Sequence, residues 1–266
     1  MTAYRHKSMW YDSRHPHPSK ALQLFCLPYA GGSSQIFANW QDYFPADVAV
    51  CCVEFPGRRR RIREPLARSV RSMTDGLATA LSTEIDQPFI LFGHSMGALI
   101  SFELARELRR RHGAEPVHLF VSGRRAPHLP AREPRSFDLP DDQLLQKLRE
   151  LKGTPEALLQ NEETMQCLLP LLRADFELVQ TYAFEEDNPL SCPITVYGGI
   201  EDSTTPIEDL RPWALHTSAK TTVRMFPGGH FFLQDPGAGL IKCLRTDVLK
   251  AADQMREAPR AVAFIS

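Results

Sequence analysis

Phe89-Ile90-Leu91-Phe92-Gly93-His94-Ser95-Met96-Gly97-Ala98 decides how the rest of the chain is read. Its four leading apolar residues are too few for a helix and stop at a glycine, so they read as a strand buried on both faces. Helical apolar spacing then runs from Ala98 to His112, which leaves Gly93 to Gly97 as a tight strand-to-helix turn. A serine at the centre of such a Gly-x-Ser-x-Gly turn has its hydroxyl exposed at the carboxyl edge of the sheet. The helix N-terminus behind it favours developing negative charge.

Working outward, Leu22–Leu27 reads as a buried strand that ends at the turn Pro28-Tyr29-Ala30-Gly31-Gly32. Val48–Val53, Val117–Val121, Ile194–Tyr197 and Thr222–Phe226 read as further strands. Helical spacing marks Ser69–Ile85 and Leu240–Met255. Continuous apolar strands that alternate with helices predict an α/β fold: a mostly parallel sheet with helices on both faces. From Asp138 to Phe184 no strand signal occurs. Leu144, Leu148 and Leu151 share one helical face until Gly153. Thr154-Pro155 offers a new N-cap and N1, and Asn161 caps a third helix with the stripe Met165, Leu168, Leu172, Phe176 and Val179. Pro170 within that stripe predicts a kink or a division. The predicted organisation is a polar, mobile extension over 1–20, a core over 21–137 and 186–256, a helical lid over 138–185 and a tail over 257–266.

The 266 residues carry 43% hydrophobic and 24% charged side chains, the balance of a folded domain rather than a disordered chain or a rod. No apolar run approaches the roughly 20 residues that span a bilayer, and residues 1–20 hold no apolar core of a secretory signal. The expectation is a cytoplasmic protein that does not enter membranes. The formal charge of −1 conceals an asymmetry. Seven arginines face one acid, Glu64, between Arg58 and Arg71, whereas twelve acids face four bases between Asp138 and Asp187. No basic block has the length of a nucleic-acid-binding tail. The six cysteines form no C-x-x-C pair or zinc spacing and read as reduced core thiols, so no metal site is expected.

A serine hydroxyl needs a base, and in a strand–serine–helix arrangement the chain order is serine, acid, histidine. His216 and His230 follow Ser95 with room for an acid between. His216 lies in a helical-looking stretch, Pro212 to Ala219, and reads as a surface histidine. His230 follows the last strand in Pro227-Gly228-Gly229-His230-Phe231-Phe232, a loop at a strand's carboxyl end, and is the candidate base. The acid belongs on the loop after the preceding strand, where Glu201 and Asp202 both qualify, the shorter aspartate being better placed to orient an imidazole. The amide of Met96 is one candidate oxyanion donor, and Ala30 in the glycine-rich turn after Leu27 is the other. Leu172 and Phe176 are the candidate lid residues shaping a substrate pocket. The run Arg58, Arg59, Arg60, Arg61 and Arg63 after Phe55-Pro56-Gly57 is either a solvated loop face or a docking patch for an acidic partner or a phosphate.

Together these segments resemble the type II (external) thioesterases of polyketide and nonribosomal peptide synthetase systems, within the α/β-hydrolases. The resemblance runs from about Leu24 to the final helix. Gly-x-Ser-x-Gly alone would indicate only a serine hydrolase. The methionine after Ser95, Pro56-Gly57-Arg58, Ser122-Gly123-Arg124-Arg125-Ala126-Pro127 and Leu172-Arg173-Ala174-Asp175 are more specific. The family pattern assigns the acid to the aspartate that ends Gly198-Gly199-Ile200-Glu201-Asp202. The resemblance implies a standalone, monomeric editing hydrolase without metal or redox cofactor. Its transient partners would be acyl or peptidyl carrier proteins, whose own phosphopantetheine arm bears the stalled or misprimed acyl group. The arginines Arg58, Arg59 and Arg60 would then meet the acidic carrier. The rival readings are a general carboxylesterase or lipase with the same triad, a cyclising thioesterase, and a non-catalytic binding module on the same fold. The last predicts a missing triad member, and none is missing.

Overall fold

Six of the apolar runs become parallel neighbours in one seven-stranded sheet, in the order β1-β3-β2-β4-β5-β6-β7. The computed structural model describes residues 9–12, 22–82, 87–132, 134–151, 153, 156–234 and 239–257. In chain order the elements are β1 (Tyr11–Asp12), β2 (Leu22–Leu27), β3 (Val48–Val53), α1 (Val70–Leu81), β4 (Phe89–His94), α2 (Met96–His112) and β5 (His118–Ser122). There follow α3 (Asp141–Leu151), α4 (Glu156–Leu159), α5 (Glu162–Gln180), β6 (Ile194–Gly199), α6 (Ile207–Leu210), β7 (Thr221–Phe226) and α7 (Leu240–Glu257). Every residue of β2 and β4 is buried, which explains why neither strand shows alternation.

Helices cover both faces because each offers an apolar stripe. On one face α1, capped by the Ser69 hydroxyl accepting from the Ser72 amide at 3.2 Å, and α2 pack Met73, Leu77, Leu99 and Leu104 against Phe25, Leu27 and Leu91. On the other face Leu240, Leu244 and Val248 of α7 join Leu24, Phe92, Phe120 and Tyr197. A third, separate cluster of Leu144, Leu148, Leu159, Met165, Leu169 and Leu172 holds the helical insertion together. That separation follows from its place between β5 and β6, outside the sheet layers.

Several expectations change. Residues 9–12 are not part of a loose extension: Tyr11 and Asp12 pair antiparallel with Val53 and Cys52, and the Glu54 amide donates to the Trp10 carbonyl at 2.8 Å. The cause is aromatic, since the Trp10 ring lies against Gly76 and beneath the Arg61 guanidinium, which is 3.7 Å from the ring centre. β4 and β6 reach His94 and Gly199, beyond the apolar residues that mark them, because the glycines there still pair with neighbouring strands. α5 is one helix through Pro170 rather than two. Thr154-Pro155, Ile85, most of 1–20 and all but the first residue of 257–266 lie outside the described residues. Among the cysteines, all free, Cys167 is exposed rather than in the core.

Candidate active site

The turn from β4 into α2 forces Ser95 to a φ of 52°, a region that β-carbon-bearing residues rarely occupy. What compels it is the close approach of strand and helix. A Cβ on Gly97 would run into the Leu27 carbonyl, and one on Gly93 into the backbone of Gly97. The Ser95 amide donates to the Ser122 carbonyl of the neighbouring strand at 2.7 Å, which fixes the turn from the other side.

Ser95 Oγ lies 3.0 Å from His230 Nε2, and His230 Nδ1 lies 2.7 Å from Asp202 Oδ2. Asp202 comes from the loop after β6 and His230 from the loop after β7, so the carboxyl ends of β4, β6 and β7 supply the three groups, with β5 lying between β4 and β6. Burial alone would raise the Asp202 carboxyl. Hydrogen bonds from His230, Thr204 and Thr205, with the charge of His230, outweigh it and hold the group well below the usual carboxylate range. The Thr204 amide and hydroxyl donate to Oδ1 at 2.9 and 2.6 Å, and the Thr205 hydroxyl to Oδ2 at 2.6 Å. With the carboxylate ionised, Nδ1 carries the proton and Nε2 is free to accept the serine's. Glu201 is exposed and takes no part in this chain of bonds. His216 is not a surface residue. It is 7% exposed among Phe102, Phe184 and Trp213, and its Nε2 lies 2.7 Å from His128 Nδ1, far from this constellation in role.

Met96 heads α2, where a first-turn amide has no acceptor in its own helix. Ala30 lines the same cavity as Ser95. The next amide, Gly31, is occupied: it donates to Asp175 Oδ2 at 2.7 Å. Asp175, on α5, also pairs with Arg58, whose other nitrogens donate to the Gly32 carbonyl at 2.8 Å and the Pro56 carbonyl at 3.0 Å. Arg58 is therefore buried, 4% exposed, and holds the loop of Ala30 in place; it is no docking residue. Arg59 and Arg60 are exposed on the adjoining loop. Asp175 stands in the sequence only as the end of Leu172-Arg173-Ala174-Asp175, a segment that gives it no role, since its partners lie more than a hundred residues away. The run of hydroxyls after Asp202 was a readable sign of a supported carboxylate.

Around Ser95 opens a cavity of about 250 Å³, bordered by Ala30, Leu172, Phe176, Val179 and Phe231. Leu172 and Phe176 thus both face it, and Leu172 also packs on the Ala30 loop, 2.6 Å from where a Cβ on Gly31 would lie. Behind the serine, His94 is fully buried, with Nδ1 2.9 Å from the Ser122 hydroxyl. Burial, and then the charge of His230, push it well below the ordinary histidine range, so it stays neutral. Among the described residues no group of three or more His, Cys, Asp or Glu side chains is placed to ligate a metal.

A serine, an imidazole and a buried carboxylate joined by hydrogen bonds are the arrangement that acyl transfer needs. Residues 22–246 match the family model "Thioesterase domain". The chain belongs to the thioesterase family. It is 42% identical over 235 residues to the gramicidin S biosynthesis protein GrsT of Aneurinibacillus migulanus, covering 88% of this chain and 92% of that one. Its fold superposes on RedJ, a thioesterase from the prodiginine pathway of Streptomyces coelicolor, with a TM-score of 0.80, 37% identity and 86% of each chain covered. The type II thioesterase BorB from the borrelidin cluster gives a TM-score of 0.82 at 32% identity, over 91% of this chain and 98% of that one. As a member of this family the chain is a hydrolase of thioesters on an α/β-hydrolase fold.

Proposed function

We propose that this thioesterase acts in trans, in the cytoplasm and as a monomer, on carrier proteins of a polyketide or nonribosomal peptide synthetase. There it releases stalled or misprimed acyl groups from the phosphopantetheine arm. The observation that carries the reading is the Ser95–His230–Asp202 chain of hydrogen bonds opening on an apolar cavity, in a protein that spans nearly all of GrsT. His230 Nε2 takes the Ser95 proton as Oγ attacks the thioester carbonyl, and the Met96 and Ala30 amides receive the oxyanion. The C–S bond breaks, and His230 returns the proton to the departing thiolate. A water, deprotonated by His230, then cleaves the acyl-serine, giving a free acid and a regenerated serine. Protein groups supply every proton transfer in this sequence.

Carrier proteins of such systems are acidic, and Arg59 and Arg60 lie exposed beside the loop of Ala30, which supports them as the carrier's contact. The test is intact mass spectrometry of an acylated carrier incubated with the enzyme at low and high salt. The acyl mass should leave the carrier while its pantetheine stays. The double change Arg59→Glu/Arg60→Glu should slow the loss several-fold at low salt and less at high salt. An enzyme that cleaves free esters but leaves the acyl-carrier intact would be a general esterase instead.

A further inference from the structure

Arg124 is the one arginine of the active-site cavity whose guanidinium meets no partner among the described residues. It follows β5 by two residues, and Ser122 at the end of that strand holds the Ser95 amide. Its backbone is pinned: the Gly123 amide donates to the Tyr197 carbonyl at 2.8 Å, and Trp213 Nε1 donates to the Arg124 carbonyl at 2.8 Å. The side chain lines the cavity shared by Ser95 and His230, and its Nε is buried without an acceptor. Its neighbours differ in their terminal nitrogens: Arg125, whose Nε is likewise buried without an acceptor, and Arg132 both pair with Asp209, at 3.4 and 2.6 Å. The buried Arg58, Arg61 and Arg106 each hold a carboxylate.

The cavity's charge has one sign. Arg124, Arg125, Arg132 and Lys147 line it, and no Asp or Glu does among the described residues. Desolvation, and then the nearby Arg125, lower the Arg124 guanidinium to about 10, which leaves it protonated at neutral pH. An unpaired cation in a partly dry cavity is unfavourable unless something that enters the cavity pairs with it. A guanidinium recognises carboxylates, phosphates and carbonyl oxygens through a rigid fork of donors and repels ammonium groups.

We propose that Arg124 forms an oxygen-acceptor subsite in the acyl pocket. It selects acyl groups bearing a carboxylate or keto oxygen near the thioester and rejects α-aminoacyl groups, whose ammonium would face the guanidinium. The inference rests on the thioesterase reading and deepens it. The pantetheine phosphate is the other anion the substrate carries, but it lies a whole arm's length from the thioester, whereas Arg124 follows the strand that touches Ser95.

The test uses three thioesters of similar size, propionyl, 2-aminopropionyl and malonyl, each on pantetheine and on phosphopantetheine. In the wild type, kcat/KM for 2-aminopropionyl should fall about tenfold or more below malonyl. Arg124→Met should shrink that ratio about tenfold on both carriers of the acyl group, and Arg124→Lys should keep part of it, with circular dichroism confirming that both variants fold. An unchanged ratio in Arg124→Met overturns the proposal. So does a loss that is equal for all three acyl groups and confined to phosphopantetheine, which would assign Arg124 to the phosphate. If the wild type turned over none of the six compounds, the thioesterase reading itself would fail, and this assignment with it.

Discussion

Ser95 is held in a strained backbone conformation by a strand and a helix that approach too closely for any side chain on Gly93 or Gly97. The strain presents Oγ to His230 without a search through rotamers. Ser95→Ala should therefore lower thioester turnover by at least about 10⁴-fold while the circular dichroism spectrum stays the same. Asp202→Asn should cost about as much, because an amide NH2 at that position can donate to Nδ1 and so hold the wrong imidazole tautomer. Glu201→Gln should leave kcat/KM nearly unchanged, since Glu201 is exposed and Asp202 makes the bond to His230. A severe Glu201→Gln defect beside a mild Asp202→Asn one would reverse the assignment. These residues were legible because the chemistry fixes their neighbours in sequence: glycines around the serine, a strand before the acid, a glycine loop before the histidine. Asp175 and Arg58 act through contacts between distant segments, so the family segments that contain them gave neither a role in the loop, and the charge run around Arg58 pointed to the surface instead.

At the scale of elements, α5 touches the loop of Ala30 twice, one turn apart. Leu172 packs on Gly31, and Asp175 accepts its amide. The C-terminal half of this helix is thereby tied to the loop of Ala30. Burial raises the Asp175 carboxyl, and the Arg58 charge and the Gly31 amide work against that. Asp175→Asn would remove the partner of a buried guanidinium and slacken the loop. The expected result is a drop in kcat of about ten- to a hundredfold with a smaller change in KM, as for loss of aim at an oxyanion. Asp175→Glu should restore part of it. A melting temperature that falls with kcat and KM both intact per folded molecule would make the contact purely structural. Bulkier residues at Phe176, which lines the cavity, should shift acyl-length preference instead. The strands and the helical insertion were visible as apolar runs and stripes, and β1 was hidden because two residues carry too little pattern to register. The burial of His216 is hidden from the sequence for a related reason: a short 3-10 turn, Arg211–His216, places it in an aromatic cluster that only the tertiary fold assembles.

At the scale of the whole molecule, three histidines among the described residues are stored neutral. His118 is pushed down to about 4 by burial, stacked on Phe120 with Nε2 2.9 Å from the Thr195 hydroxyl. His216 is pushed down to about 4 by burial and then by His128 and Arg106, and His94 falls well below its ordinary value. In the unfolded chain each would titrate near 6.5. Below that pH the unfolded state binds more protons than the folded one, so unfolding becomes easier as pH falls from about 6.5 toward 4. Each histidine contributes a slope of up to about 1.4 kcal/mol per pH unit in that window. Asp202 acts in the same direction but later, because its depressed carboxyl gives up its contribution only as pH drops below the ordinary carboxylate range. Acid should therefore unfold this protein before it protonates the triad carboxylate. Urea unfolding followed at pH 7.5, 6.5, 5.5 and 4.5 should show a flat first step and a steep fall afterwards. His118→Gln, which keeps a donor for Thr195 and cannot titrate, should flatten the lower part of that curve by one histidine's share. Stability that is level from pH 6.5 to 4.5, or a His118→Gln curve parallel to the wild type, would mean that these imidazoles are not the acid-sensitive part of the fold.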